Sequence, residues 1–286
     1  MRLDLAVSRR FGLSRRAARE AVRTGRIDVE GTARDEPGAE VLVVDKPAGL
    51  LAVPTAAKER DTLLSRVSLY LQHRYRRRPY VGVVHRLDRD TSGALVFARS
   101  RDSLRFLQRL FAAHAIEREY VALVAGAMSG SGALDAPLSG DGESVKRRVA
   151  RPGERGRRAV TRYRVLERLP GATLVSVELE TGRTHQIRIH FADAGHPVLG
   201  DRVYGPPEAA PSPAPPRQML HARRLGFPHP AGSAAVRVES GLPDDFAAAL
   251  AAMRRAGGPP SRKEKRPGSV RGASEFPRGR TARRGR

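Results

Sequence analysis

The sequence predicts an α+β fold: a mixed, largely antiparallel sheet flanked by helices, with a small helical unit at the N-terminus and a disordered basic tail. Three observations predict it. Strand-like and helix-like runs both occur between residues 42 and 256 but do not alternate one for one, which argues against a doubly wound sheet. Hydrophobic residues make up 40% of 286, enough to bury a core in one large domain or two small ones. Residues 257–286 hold ten Lys or Arg against Glu264 and Glu275, with only Val270 and Phe276 as larger apolar side chains. Such a segment cannot bury enough surface to offset its ordering entropy. The expected division is therefore 1–38, 39–256 and 257–286.

The elements follow in order. Ser14 can cap a helix running to about Thr24, and Gly25 can end it. Ala17, Ala18, Ala21 and Val22 share one stripe of that helix, while Arg15, Arg16, Arg19 and Arg23 line the remainder. RIDVEG then alternates like a strand entering a turn. Leu63, Leu64, Val67, Tyr70 and Leu71 have helical spacing within 61–75. Leu95 and Phe97 suggest a strand after Gly93, and 103–113 repeats as a helix through Leu104, Leu107, Leu110 and Phe111. Strand-like runs follow at 119–125, 159–166, 173–180 and 219–226. Between them Thr184 can cap a helix over 185–194 that Gly195 ends, with Ile187, Phe191 and Ala194 as its buried face. PPEAAPSPAPP (206–216) has six Pro in eleven residues and reads as an inserted surface loop. Pro243 and Asp244 open a last helix with Phe246, Leu250 and Met253 on one side.

Charge narrows the partner. The formal net charge is +23, and 48 of the 53 basic residues are Arg, whose planar fork grips phosphate and stacks on bases. This predicts a nucleic-acid partner bound with counterion release. No run of eighteen apolar residues predicts a membrane span, and MRLDLAVSRRFG has no apolar signal core, which predicts a cytoplasmic protein. With no Cys, a disulfide framework, a Cys-ligated zinc, an iron–sulfur cluster and a thiol nucleophile are excluded. No G-x-S-x-G elbow, P-loop or G-x-G-x-x-G after a strand occurs.

Two clusters carry the chemistry. In VVHRLDRDTSGALVFARS (83–100) a strand runs into a turn-forming loop and another strand leaves, a rigid mount for a reactive carboxylate. Its candidates are His85, Asp88 and Asp90; the bland alternative is a polar hairpin whose carboxylates cap backbone N–H groups. In ETGRTHQIRIHFADAGHPVLGDRVYG (180–205), Arg188 lies beside Ile187 at the border of the buried face, able to reach a cleft. His185 and His190 are five positions apart, about 140° around a helix, which does not suit a zinc pair. What survives is a carboxylate, an Arg and a basic surface, without metal or cofactor. An Arg opposes the desolvation that would neutralise a buried Asp, leaving an anion fit to act as nucleophile or base. On nucleic acid this points to the sugar–base bond of a flipped nucleotide. The rival readings are a non-catalytic RNA-binding or ribosome-assembly factor, and a metal-dependent nuclease using His85, Asp88 and Asp90.

His85-Arg86-Leu87-Asp88-Arg89-Asp90-Thr91-Ser92-Gly93 resembles the H-R-L-D-x-x-T-S-G signature of RluA-type pseudouridine synthases. VDKPAGL (44–50), REYVALVAG (118–126), TGRTHQIRIH with GHPVLGDRVYG, and LHA (220–222) resemble the family's other motifs, in its order. The resemblance implies the pseudouridine synthase fold, no cofactor, and isomerisation of uridine to pseudouridine in RNA, large-subunit ribosomal RNA before tRNA, by a monomer. It implies Asp88 as catalytic carboxylate, Tyr120 against the target base, and Arg188 as the charge partner of Asp88. Arg86 would fill the gap left by the flipped uridine. His85, Arg183 and His185 are expected at the RNA with it, as are Arg15, Arg16, Arg19 and Arg23. RLDLAVS, the Ser14 helix and GRIDVEG resemble the small S4-like RNA-binding module, here with its last strand or linker cut short.

Overall fold

A computed structural model describes residues 41–76, 80–139, 147–205, 215–232 and 235–256. The N-terminal helix with Arg15, Arg16, Arg19 and Arg23, most of the proline-rich loop and the basic tail lie outside the described residues. Among those described, the chain runs β1 (Val41–Lys46), α1 (Leu63–Tyr75), β2 (Gly82–Val83), β3 (Ser92–Ala98), α2 (Arg101–Ala112), β4 (Glu117–Ala125), β5 (Ser131–Asp135), β6 (Leu138–Ser139), β7 (Arg148–Val149), β8 (Val160–Leu169), β9 (Ala172–Leu179), α3 (Gln186–Asp193), β10 (Leu220–Pro228), β11 (Ala235–Glu239) and α4 (Asp244–Ala256). No described helix is long and apolar enough to cross a membrane.

The main sheet has the order β1-β3-β10-β4-β9-β8-β5, with β2 added to β3 and β11 to β10. Every pairing is antiparallel except the short parallel contact of His221 with Ser92 and Ala222 with Gly93. The sheet is therefore mixed and largely antiparallel, as the run pattern predicts. Its central strands are apolar throughout because both faces are covered and side chains alternate between them. In β3, Leu95 and Phe97 join the cluster under α1 and α3, while Ala94, Val96 and Ala98 join Leu107 of α2. In β4, Tyr120, Ala122 and Val124 face the first side, and Val121, Leu123 and Ala125 meet Phe246, Leu250 and Met253 of α4. Strands β5 and β11, at the margins, alternate exposed and half-buried residues instead.

The starts of α1 and α2 are set by hydroxyl caps. The Ser65 N–H donates to Thr62 Oγ1 at 3.2 Å while the Thr62 N–H donates to Ser65 Oγ at 3.0 Å, and Ser100 Oγ accepts from the Ser103 N–H. Two expectations for α3 fail. Its N-cap is His185, in the left-handed region at φ 58° and without a side-chain cap, because the Thr184 hydroxyl instead accepts from Arg86 Nη2 at 3.0 Å. Its buried face does not extend to Ala194, which is exposed; Gln186 to Phe191 are instead buried all round, since the polar members have internal partners. Gly195 ends the helix at φ +79°, as expected.

Gly93 has φ +117°, and a Cβ built there would stand 2.2 Å from the Ala222 carbonyl oxygen across the β3–β10 contact. Gly93→Ala is expected to cost on the order of 2–4 kcal/mol, from backbone strain plus overpacking. Gly171→Ala, where φ is +67° but nothing lies within 4 Å, carries only the strain. Denaturant midpoints of the two variants check this ordering.

Candidate active site

The loop between β2 and β3 is gripped by its backbone carbonyls. Lys46, at the end of β1, is 0% exposed and its Nζ donates to Pro47 O (2.9 Å), Leu50 O (2.7 Å) and Arg89 O (2.8 Å). Arg217 donates from Nη1 to Asp90 O at 2.9 Å and from Nη2 to Ser92 Oγ at 3.3 Å, while Asp245 holds its Nε and Nη2. Gln218 Nε2 donates to Thr91 Oγ1 at 2.9 Å, and the Thr91 N–H closes the turn on Asp88 O. Leu87, buried, plugs the loop into the same core cluster as Ile187 of α3. Burial pushes the Lys46 ammonium down to about 7, against the pull of the Asp90 and Asp88 charges.

That grip presents Asp88 to α3. Arg188 Nη1 donates to Asp88 Oδ2 at 3.0 Å, and the remaining edge of the guanidinium is bidentate on Asp201, Nε to Oδ2 at 2.6 Å and Nη2 to Oδ1 at 2.9 Å. Arg188 is 5% exposed, Asp201 0% and Asp88 23%. Burial disfavours the Arg188 cation, but the Asp201 hydrogen bonds and charge, helped by Asp88, outweigh it and hold the group above its ordinary value. Asp201 is lowered despite burial by Arg188 and by the N–H groups of Val203 and Tyr204, which donate to its Oδ1. The Tyr204 ring lies 5.0 Å from the Arg188 Cζ.

The other Asp88 oxygen is less engaged. Oδ1 stands 3.8 Å from His185 Nε2, while His185 Nδ1 is 3.0 Å from the Tyr204 hydroxyl. Burial lowers the His185 pKa; Asp88 opposes this, and Arg188 and Arg147 reinforce it. His185 is thus neutral at neutral pH. Tyr120 projects from β4 into the cluster under α1 and α3, where burial raises its phenol pKa, Arg118 opposing and Asp88 adding to the rise.

The remaining sequence candidates are placed as follows. Arg86 is exposed and reaches Thr184; Arg183 Nε donates to Arg158 O at 3.1 Å on the same segment as His185. Two candidates are not brought to the Arg188 cluster. His85 stacks on Phe111 at 4.7 Å and its Nε2 accepts from the Val96 N–H; burial and Arg118 push its imidazole down to about 3, so it is neutral. Asp90 gives its carbonyl to Arg217 and its charge to Lys46. His190 is internal, with Nδ1 2.9 Å from Thr161 Oγ1 and Nε2 2.9 Å from Ala136 O. Sequence reasoning missed Asp201, Lys46, Arg217 and Gln218. Lys46 lies within VDKPAGL, where a Lys between an apolar strand and a Pro-Ala-Gly turn was the only signal.

A family model described as RNA pseudouridylate synthase matches residues 40–193. Ribosomal large subunit pseudouridine synthase D of Pseudomonas aeruginosa is 40% identical over 238 residues, which cover 80% of this chain and 72% of that protein. Its namesake in Nitrosomonas europaea is 41% identical over 221 residues, 75% of this chain and 63% of that protein. The solved structure of human RNA Pseudouridylate Synthase Domain Containing 4 shares the fold at TM-score 0.64 and 22% identity, covering 82% of this chain and 96% of that one.

Asp201→Asn is expected to cost about 3–5 kcal/mol, because it leaves Arg188 buried with half its charge partners; thermal unfolding of the variant checks it. Lys46 gives a pH signature. The unfolded chain keeps that proton up to the ordinary 10.5, whereas the folded chain releases it near 7. Between these values the unfolded state binds more protons, so this group's contribution to stability rises with pH; below 7 both states are protonated and the full cost of the buried cation applies. Denaturation of wild type and Lys46→Met from about pH 6 to about pH 10 should show the difference shifting toward the wild type as pH rises.

Proposed function

The chain belongs to the RluA-type RNA pseudouridylate synthase family, and we propose that it isomerises uridines of large-subunit ribosomal RNA to pseudouridine, with Asp88 as the catalytic carboxylate. The observation that carries the assignment of roles is the Asp88–Arg188–Asp201 chain. It sets one partly exposed carboxylate against a fixed cation at the edge of an apolar cluster. The names of the relatives support the RNA class. The reaction needs no oxidant and no co-reactant: the N1–C1′ bond breaks, the uracil turns, C5 joins C1′, and the proton leaving C5 is matched by one gained at N1.

In this reading Asp88 Oδ1 does the chemistry, since Arg188 holds Oδ2 and neutral His185 does not tie up its neighbour. Attack at C1′ and removal of a C2′ proton both start from that oxygen. Tyr120, a neutral phenol held above its ordinary pKa, packs against the uracil and carries a proton at C5. Arg86, exposed at the rim, enters the helix where the uridine leaves, with Arg183 and His185 beside it on the RNA. Residues 39–256 form the catalytic domain, and 1–38 with 257–286 add salt-sensitive RNA affinity. The enzyme acts as a monomer in the cytoplasm.

Asp88→Asn is expected to fold and to bind ribosomal RNA, yet to release no tritium from RNA carrying 5-tritiated uridine. Measurable release from the variant would refute the role given to Asp88.

A further inference from the structure

Among the described residues four besides glycine have φ in the left-handed region: Lys58, Arg76, His114 and His185. Arg76 ends α1 and His114 lies just beyond α2, where a helix commonly unwinds through that conformation. His185 alone begins a helix. An N-cap ordinarily takes extended backbone, as Thr62 and Ser100 do here, and its side chain ordinarily caps, which that of His185 does not. A disfavoured conformation that brings the helix nothing points to the direction in which it sends the side chain.

That direction is toward Asp88. The imidazole is pinned along one edge: Nδ1 is 3.0 Å from the Tyr204 hydroxyl, and the two rings meet edge to face, 5.7 Å between centroids. Tyr204 is itself held, its N–H on Asp201 Oδ1 and its ring 5.0 Å from the Arg188 Cζ. The other edge of the imidazole is left to the cleft. Nε2 stands 3.8 Å from Asp88 Oδ1, too far for a hydrogen bond and near enough for one substrate atom to touch both. Both side chains are partly exposed, so a substrate can reach them.

Asp88 Oδ1 is the oxygen that would attack C1′ or take a proton from C2′. The 2′-hydroxyl hangs from C2′, so a sugar seated for either route carries it into the neighbourhood that Nε2 occupies. A neutral imidazole suits a hydroxyl, since Nε2 donates or accepts according to tautomer and a hydroxyl answers either. An ammonium or guanidinium in its place would pair with Oδ1 and tie up the oxygen that must react.

We infer that His185 is a specificity-determining residue whose Nε2 hydrogen-bonds the 2′-hydroxyl of the target uridine, seating the ribose with C1′ and C2′ toward Asp88 and disfavouring a deoxyribonucleotide. The inference rests on the reaction proposed at Asp88.

The full-length protein is tested on two large-subunit ribosomal RNA fragments of one sequence, with 5-tritiated uridine or 5-tritiated 2′-deoxyuridine at the position that the wild type modifies. Wild type is expected to favour the ribose in kcat/KM by about tenfold or more, the scale of one hydrogen bond, and His185→Asn to lose about tenfold of that preference. Asn tolerates the left-handed backbone, and its amide can meet Tyr204 from the Nδ1 position while nothing fills the Nε2 position. Gln, longer by one methylene, puts an amide there, so His185→Gln should return the preference to within about threefold of wild type. Where the deoxy RNA does not turn over, its inhibition constant against the ribose RNA takes the place of its KM. An equal loss on both RNAs in His185→Asn marks a structural role and overturns the inference, as does a preference left unchanged. Absence of tritium release by wild type from the ribose RNA sinks the reaction at Asp88 and this inference with it; release without the shift in preference sinks the inference alone.

Discussion

A guanidinium buried between two carboxylates organises this molecule. Arg188 could not sit at 5% exposure alone, since a lone buried cation costs several kcal/mol. Asp201, fully buried, neutralises it from one edge and receives two backbone N–H groups of its own, so the pair is satisfied before Asp88 is counted. Asp88 then meets a cation whose position is already fixed. That order of obligations explains why α3 is buried on nearly every side: Gln186 and His190 spend their polar atoms on Val160, Thr161 and Ala136, and only Arg188 turns toward the cleft.

The loop that brings Asp88 to this cation has little regular structure, and its rigidity comes from side chains that seize main-chain oxygens. Lys46 ties Arg89 to the Pro47–Leu50 turn, and Arg217 ties Asp90 to the start of α4 through Asp245. A reactive group held this way enters its reaction with orientational freedom already removed. The Asp88 side chain is left free of backbone duties, and this separates it from the polar-hairpin alternative, in which the carboxylates themselves cap N–H groups.

Much of the sheet was legible because its central strands carry unbroken apolar runs and its helices carry periodic ones. The runs at 119–125, 159–166, 173–180 and 219–226 each became a strand within a few residues. The Asp88–Arg188 pairing, expected from the motifs, is present at 3.0 Å. The start of α3 was misread because the hydroxyl of Thr184 looks like a cap in sequence, yet a residue 98 positions away claims it. Asp201 was invisible for a similar reason: an acid thirteen residues beyond Arg188 has no helical or strand periodicity linking it to that cation, and only the turn after α3 folds it back. Lys46 and Arg217 act on carbonyls, which carry no sequence signature at all.

The place of β10 in the sheet sets an order of events during synthesis. This strand lies between β3 and β4, although both are translated about a hundred residues earlier. Until it emerges, neither neighbour can complete its hydrogen-bonding edge, and the catalytic loop lacks the grip of Arg217 and Gln218. A nascent chain elongating at about 5–20 residues per second therefore carries its signature loop for several seconds with the Lys46 grip alone. The grip on Asp90 and Thr91 arrives only once Arg217 and Gln218 have left the exit tunnel, so a premature stop before residue 217 yields a chain that has the motif and lacks that part of its fastening.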